Sequence, residues 1–238
     1  MMCTGRVDLA FILRSFYDRA DGVYIAGCRL DECKYITQGN YHALNLVLLS
    51  KRLMEHIGLN PERLRIEFMS SAEGGRFAET VNDFVKKVRA IGPCGESEGL
   101  KDGELTSRLE HLMTLIPYLK IAKREKLASR LKDPESWDEL FTREEIDTLF
   151  REIPSYYIEP EKCQACMTCA RRCPVEAIRS GKNLIHIIEQ EKCIRCGTCL
   201  EVCPSRFGAV TKIVGAPVPP PLPEEKRAII RKAKEKGD

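Results

Sequence analysis

Two stretches, EKCQACMTCARRCP and EKCIRCGTCLEVCP, carry eight of the chain's twelve cysteines at one spacing. Each reads C-x2-C-x2-C-x3-C-P, and the second repeats the first thirty residues on, giving Cys163, Cys166, Cys169 and Cys173, then Cys193, Cys196, Cys199 and Cys203. Three thiolates spaced by two residues can wrap one face of an iron–sulfur cube. The fourth points away, so it serves the opposite cluster. One [4Fe-4S] cluster is therefore expected on Cys163, Cys166, Cys169 and Cys203, and the other on Cys193, Cys196, Cys199 and Cys173. Zinc sites use two C-x2-4-C pairs separated by a longer loop, which this pattern does not fit. Pro174 and Pro204 turn the chain after each crossing ligand and remove an N–H donor there.

This pattern resembles the bacterial two-[4Fe-4S] ferredoxin family over residues 156 to 214. The resemblance implies a small pseudo-twofold α+β unit, each half a strand pair plus a helix, that relays single electrons between two nearby clusters. The repeats differ after the proline, where CPSRFGAV carries two residues more than CPVEAI.

The remaining cysteines are Cys3, Cys28, Cys33 and Cys94. Residues 1 to about 92 alternate helix and strand signals. Leu9, Ile12, Leu13, Phe16 and Tyr17 recur at helical spacing, and GVYIAG (22–27) is a short buried-strand run. Leu44, Val47, Leu48 and Leu53 mark a second helix that ends near Gly58. LRIEFM (64–69) alternates like a strand, and Ser70 with Glu73 offers a capping box. Phe77, Val81, Phe84, Val85 and Val88 line a third helix. Alternating βα units imply a parallel sheet covered by helices, although two strands make a meagre sheet. Cys28 and Cys33 follow a strand, at the carboxyl end where open α/β sheets collect ligands. Cys3 precedes a helix, with no room for a strand before it.

The motifs CTGRVD, AGCRLDECKY, GNYHA and NPERLRIEFMSSAEGGRFAETVNDF together resemble the delta subunit family of methyl-viologen-reducing hydrogenase. The resemblance covers nearly all of residues 1–92. It implies a [2Fe-2S] cluster on a flavodoxin-like scaffold with an incomplete parallel sheet, and Cys3, Cys28 and Cys33 match the family's cysteine motifs. It also implies an electron link between a hydrogenase or formate dehydrogenase and a heterodisulfide-reductase-like or flavin-containing partner. The family carries a first strand and a further cysteine motif ahead of C-x-G-R that this sequence lacks. The expectation is a truncated or mis-started chain, a portion supplied by another polypeptide, or a lost cluster, since three thiolates are one short of a four-cysteine site. Cys94, in GPCGE, matches no family motif and reads as an ordinary thiol.

Residues 93–155 read as a helical connector. Leu105, Leu109, Leu112, Met113 and Ile116 give a stripe interrupted by Pro117 and resumed to Leu131, and Thr142 with Glu145 forms a second capping box. The residues after 214 read as a proline-stiffened linker and a short basic helix or frayed tail. His42, His56, His111 and His186 read as surface or packing residues, and Trp137 as helix packing. Arg171, Arg172 and Arg195 stand beside the clusters as solvated charges or as tuning and docking groups.

With a formal net charge of +3 over 238 residues, nothing points to nucleic acid or an anionic membrane. No apolar run reaches the length of a membrane span and no signal peptide is evident, so a cytoplasmic chain is expected. Reduced cytosolic thiols favour metal thiolates over disulfides. No dinucleotide fingerprint or P-loop is present, and no acid–base site is evident. The leading reading is an electron-transfer subunit of an oxidoreductase complex, in which any enzyme label belongs to the complex. The alternative is a thiol/disulfide reductase with Cys28 and Cys33 as its redox pair, although C-x4-C is not the usual C-x-x-C motif.

Overall fold

A computed structural model describes residues 3–35, 39–101, 103–131 and 133–229, arranged as two compact units, residues 1–149 and 150–238. The first is a mixed α/β unit. Helix α1 (Leu9–Tyr17) starts where the Asp8 carboxylate accepts from the Ala10 amide at 3.0 Å. Leu9, Ile12, Leu13 and Phe16 fall on one face and are buried. Each such side chain contributes about 1.5–3 kcal/mol when fully buried. Strand β1 (Val23–Gly27), helix α2 (Asn40–His56), strand β2 (Leu64–Phe68) and helix α3 (Gly74–Ile91) follow. β1 and β2 pair in parallel, Val23 opposite Leu64 through to Gly27 opposite Phe68, as a two-stranded sheet. α3 buries only Phe84 of its eighteen residues; Tyr24 of β1 stacks edge-on against Phe77 and shares a 2.7 Å hydrogen bond with Thr80. The Ser70–Glu73 box forms, with the Ser70 amide donating to Glu73 at 2.5 Å, but it closes a turn just ahead of α3.

Arg63, fully buried, ties this unit together. Its guanidinium donates to the Asp21, Gly92 and Pro93 carbonyls and to both oxygens of Glu98.

The stretch expected as a connector packs onto the same unit. It forms α4 (Glu104–Thr114), α5 (Ile116–Ala122), α6 (Arg124–Leu127) and α7 (Arg143–Arg151). The single interrupted stripe thus becomes three short helices, with Pro117 in the first turn of α5, where its missing N–H costs nothing. Tyr17 of α1 donates to Glu110 of α4 at 2.8 Å, and Lys120 of α5 bonds Asp8 at 2.5 Å. Buried Asn45 of α2 donates to the Lys126, Leu127 and Ser129 carbonyls. Glu145 of α7 accepts from Lys123 and Lys126, and its amide donates to Thr142 Oγ1 as the box predicts. No helix among the described residues is long and apolar enough to cross a membrane.

The second unit runs β3 (Pro154–Ile158), α8 (Thr168–Arg172), β4 (Ile178–Gly181), β5 (Leu184–Ile188), α9 (Thr198–Glu201) and β6 (Val210–Val214). β3 pairs antiparallel with β6, and β4 with β5. Asn183, at φ 58°, turns the β4–β5 hairpin, a conformation its side chain tolerates better than most. The tail is not a free linker up to residue 229. Arg227 is 1 % exposed and donates to the Ile185 and Arg179 carbonyls, its own carbonyl accepts from the Ile185 amide, and Ala228 bridges to Leu184. The basic helix expected beyond it lies outside the described residues.

Candidate metal centres

The N-terminal cysteines converge on one end of the small sheet. Cys3 is extended and caps a short turn, Thr4–Arg6, its sulfur accepting from the Gly5 amide at 3.4 Å. Thr4 Oγ1 donates to the Ala26 carbonyl, which pins this turn to the end of β1. Cys28 leaves β1 immediately after Gly27, and buried Asn40, opening α2, donates to the Cys28 and Arg29 carbonyls. The Cys3 and Cys33 sulfurs stand 4.0 Å apart. Together with Cys28 they line a cleft of about 650 Å³ whose other walls include Met69, Ser70, Glu73 and Phe77.

The three thiols are not equivalent. Burial pushes Cys28 up, and the neighbouring Cys33 adds to the rise. Burial acts on Cys33 as well, but the Tyr35 and Asn40 amides and the Cys28 and Cys3 thiols outweigh it and bring Cys33 below the ordinary thiol value. Cys33 thus ionises before Cys28. Gly39 is needed beside it, because a Cβ there would overlap both the Tyr35 carbonyl and Cys33 Sγ. Cys94 does not line this cleft; its amide donates to Asp21, and burial pushes its thiol up to about 11.

In the second unit the two cysteine loops share one backbone device. Ala165 and Met167 have positive φ, and so do Arg195 and Gly197, thirty residues on. Left-handed residues between cysteines curl each loop. In the second loop the Arg195 amide donates to Cys193 Sγ at 3.4 Å, and just beyond the first run the Ala177 amide donates to Cys173 Sγ at 3.3 Å. Met167 and Gly197 then open α8 and α9.

Cys173, Cys193, Cys196 and Cys199 ring one hollow, closed by Tyr156, Val175, Ala177, Ile178 and Ile188. This is the second of the two expected ligand sets. In the first set, Cys169 feels the charges of Cys163 and Cys166, and Cys203 packs against the same core. Burial, then neighbouring thiols, push Cys169 up to about 11 and Cys199 up to about 12. Four thiolates gathered in such surroundings repel one another and are poorly solvated, a situation that bound iron relieves. The donor set therefore fits iron–sulfur clusters, which bound here supply one-electron transfer. Among the described residues no three Cys, His, Asp or Glu side chains close on a single ion.

Of the arginines noted beside the loops, Arg171 and Arg172 are exposed, whereas Arg195 is half-buried with its Nε lacking a partner. Of the four histidines, His186 is a packing residue with a cysteine for a neighbour. It is buried, with Nδ1 3.4 Å from Cys169 Sγ. The repeat carried the signal: His186 and Tyr156 each stand seven residues before the first cysteine of a run.

A parallel βα unit with a cysteine-lined cleft, followed by a duplicated cysteine module, defines an iron–sulfur electron-transfer protein. Residues 1–92 match the family described as methyl-viologen-reducing hydrogenase, delta subunit, and residues 155–204, which include all eight repeat cysteines, match the 4Fe-4S dicluster domain. The chain belongs to that delta-subunit family. It is 38% identical over 91 residues to an iron-sulfur subunit of the F420-non-reducing hydrogenase of Methanopyrus kandleri, a match covering 38% of this chain and 68% of the relative. The F420-non-reducing hydrogenase iron-sulfur subunit from Archaeoglobus profundus is 42% identical over 91 residues, 38% of this chain and 66% of the relative. In Methanosarcina acetivorans, one subunit of the ferredoxin/F(420)H(2)-dependent CoB-CoM heterodisulfide reductase is 48% identical over 94 residues, 40% of this chain. The match spans only 12% of that much longer relative.

Proposed function

We propose that this chain relays single electrons between a hydrogenase or formate dehydrogenase and a heterodisulfide-reductase-like or flavin-containing partner, in a cytoplasmic complex. Two [4Fe-4S] clusters are held by the ligand sets Cys163, Cys166, Cys169, Cys203 and Cys193, Cys196, Cys199, Cys173. A [2Fe-2S] cluster occupies the cleft of Cys3, Cys28 and Cys33 on a flavodoxin-like scaffold and is completed by a fourth ligand. Relatives that are subunits of hydrogenase and heterodisulfide reductase support the choice of partners. The observation that carries the reading is the hollow ringed by Cys173, Cys193, Cys196 and Cys199, three ligands from one run and the fourth from the other.

The test is iron and sulfide analysis with paramagnetic resonance on anaerobically purified protein. About ten irons per chain are expected, and about eight without the [2Fe-2S] centre. Cys173→Ala should disturb the cluster whose other three ligands lie in the second run, and Cys203→Ala the other. If each variant damages the cluster of its own run, the interleaving is wrong. Gly39→Ala should displace Cys33 and remove about two irons while leaving the dicluster signals unchanged; full retention of iron would count against the N-terminal cluster.

One observation favours a second reading. Cys33 lies within reach of Cys28 and ionises more easily, as the attacking thiol of a disulfide reductase would. In that reading the clusters deliver two electrons, one at a time, and with two protons these return a Cys28–Cys33 disulfide to the dithiol. Cys28→Ser should then abolish turnover of a small disulfide while leaving cluster reduction intact.

A further inference from the structure

His186 is a buried polar residue whose own packing does not account for it. It lies on β5, is 1 % exposed and places Nδ1 3.4 Å from Cys169 Sγ, while its Nε2 is buried with no partner. An unmatched nitrogen in the interior is costly, and an apolar side chain would avoid that cost. The repeat sharpens the point. Thirty residues earlier Tyr156 holds the same place on β3, and its hydroxyl lies over Gly197, where an added Cβ would stand 2.9 Å away. The two loops share their cysteine spacing and their left-handed residues. One loop nevertheless meets an imidazole at its third cysteine, while the other meets a phenol between its second and third. The tail fixes this difference in place: Arg227 bonds the carbonyl of Ile185, the neighbour of His186, and the Arg179 carbonyl on the paired strand.

We propose that His186 is a positioning residue whose Nδ1–H donates to the Cys169 thiolate and raises the potential of that cluster. This rests on the ligand sets given above. A donor to a ligating sulfur draws off negative charge and favours the reduced, more negative state. The neighbouring cluster takes backbone donors instead, from the Arg195 amide to Cys193 and the Ala177 amide to Cys173, so the imidazole is the donor that a side-chain change can remove. A hydrogen bond to a charged group shifts a one-electron equilibrium roughly tenfold, or about 59 mV.

The whole chain, purified anaerobically with 15N-labelled histidine, is reduced and studied by pulsed paramagnetic resonance. Expected is a 15N coupling to one reduced [4Fe-4S] cluster that disappears in His186→Gln. In a redox titration His186→Leu should lower one midpoint by that tenfold factor and leave the other in place. His186→Gln, which keeps an N–H donor, should recover most of the shift. Two loaded clusters without 15N coupling would overturn the role of His186 alone, as would midpoints that stay fixed or move together in the leucine variant. Should His186→Leu fail to load, the labelled wild-type protein still decides. Absence of any [4Fe-4S] signal in that protein would instead overturn the ligand sets, and this role with them.

Discussion

Stripping iron from the anaerobically purified chain should unfold the second unit and leave the first folded. The core of the second unit consists of Tyr156, Ile158, Ile178, Ile188, Ala209 and Val210 together with Cys163 and Cys169, and partly buried Cys173, Cys193, Cys199 and Cys203 pack against it. Six of the eight proposed ligands are thus also its core residues. Without metal, what remains is a handful of apolar side chains around a set of thiols, too little to hold a module of this size. The first unit has a core of its own, in which Leu9, Leu13, Phe16, Leu49, Leu53, Leu109, Leu112 and Leu119 are all fully buried. Hydrogen exchange after treatment with chelator and oxidant should show the amides of β3, β5 and β6 losing nearly all protection while those of α1 and α2 keep theirs. Continued protection at Ile158 and Ile188 in iron-free protein would contradict this.

Replacing Arg63 with alanine should destabilise the first unit by about 3–5 kcal/mol, because it leaves Glu98 as an uncompensated charge and removes the donor from three carbonyls. Denaturant unfolding followed through Trp137 measures this, and a loss under about 1 kcal/mol would refute it. The same pair sets a pH dependence. Burial alone would raise the Glu98 carboxyl, but Arg63 and the Gly95 and Asn60 amides outweigh it and hold the group below its ordinary value of 4.5. A depressed carboxylate contributes stability that is present above 4.5 and is lost as pH falls through its folded-state value. The acid limb of stability in wild-type protein should therefore flatten in Arg63→Ala.

The legible parts of this molecule are those fixed by local spacing. The βα order, the helix at Leu9 to Phe16 and the Thr142 cap could all be read from periodicity and turn chemistry. So could the meeting of Cys173 with Cys193, Cys196 and Cys199, because the spacing of the run dictates which sulfur turns away. What escaped was set by contacts distant in sequence. The helices after residue 103 read as a connector, and the residues that hold them, Asn45 and Asp8, show only in the fold. The role of Arg63 depends on carbonyls brought to it by separate segments. The repeat marks the place of His186, but only the fold brings Cys169 to it. The proline-rich stretch gave no sign that Arg227 beyond it would be among the most buried side chains of the chain.

That last residue bears on where the redox module ends. The Ile185 amide and the Asn183 carbonyl take their partners from Arg227 and Ile229, so residues 224–229 act as an extra rung along the β4–β5 hairpin. A version trimmed after Val214 would keep every cysteine yet expose a raw strand edge, the kind of surface through which small β modules stick to one another.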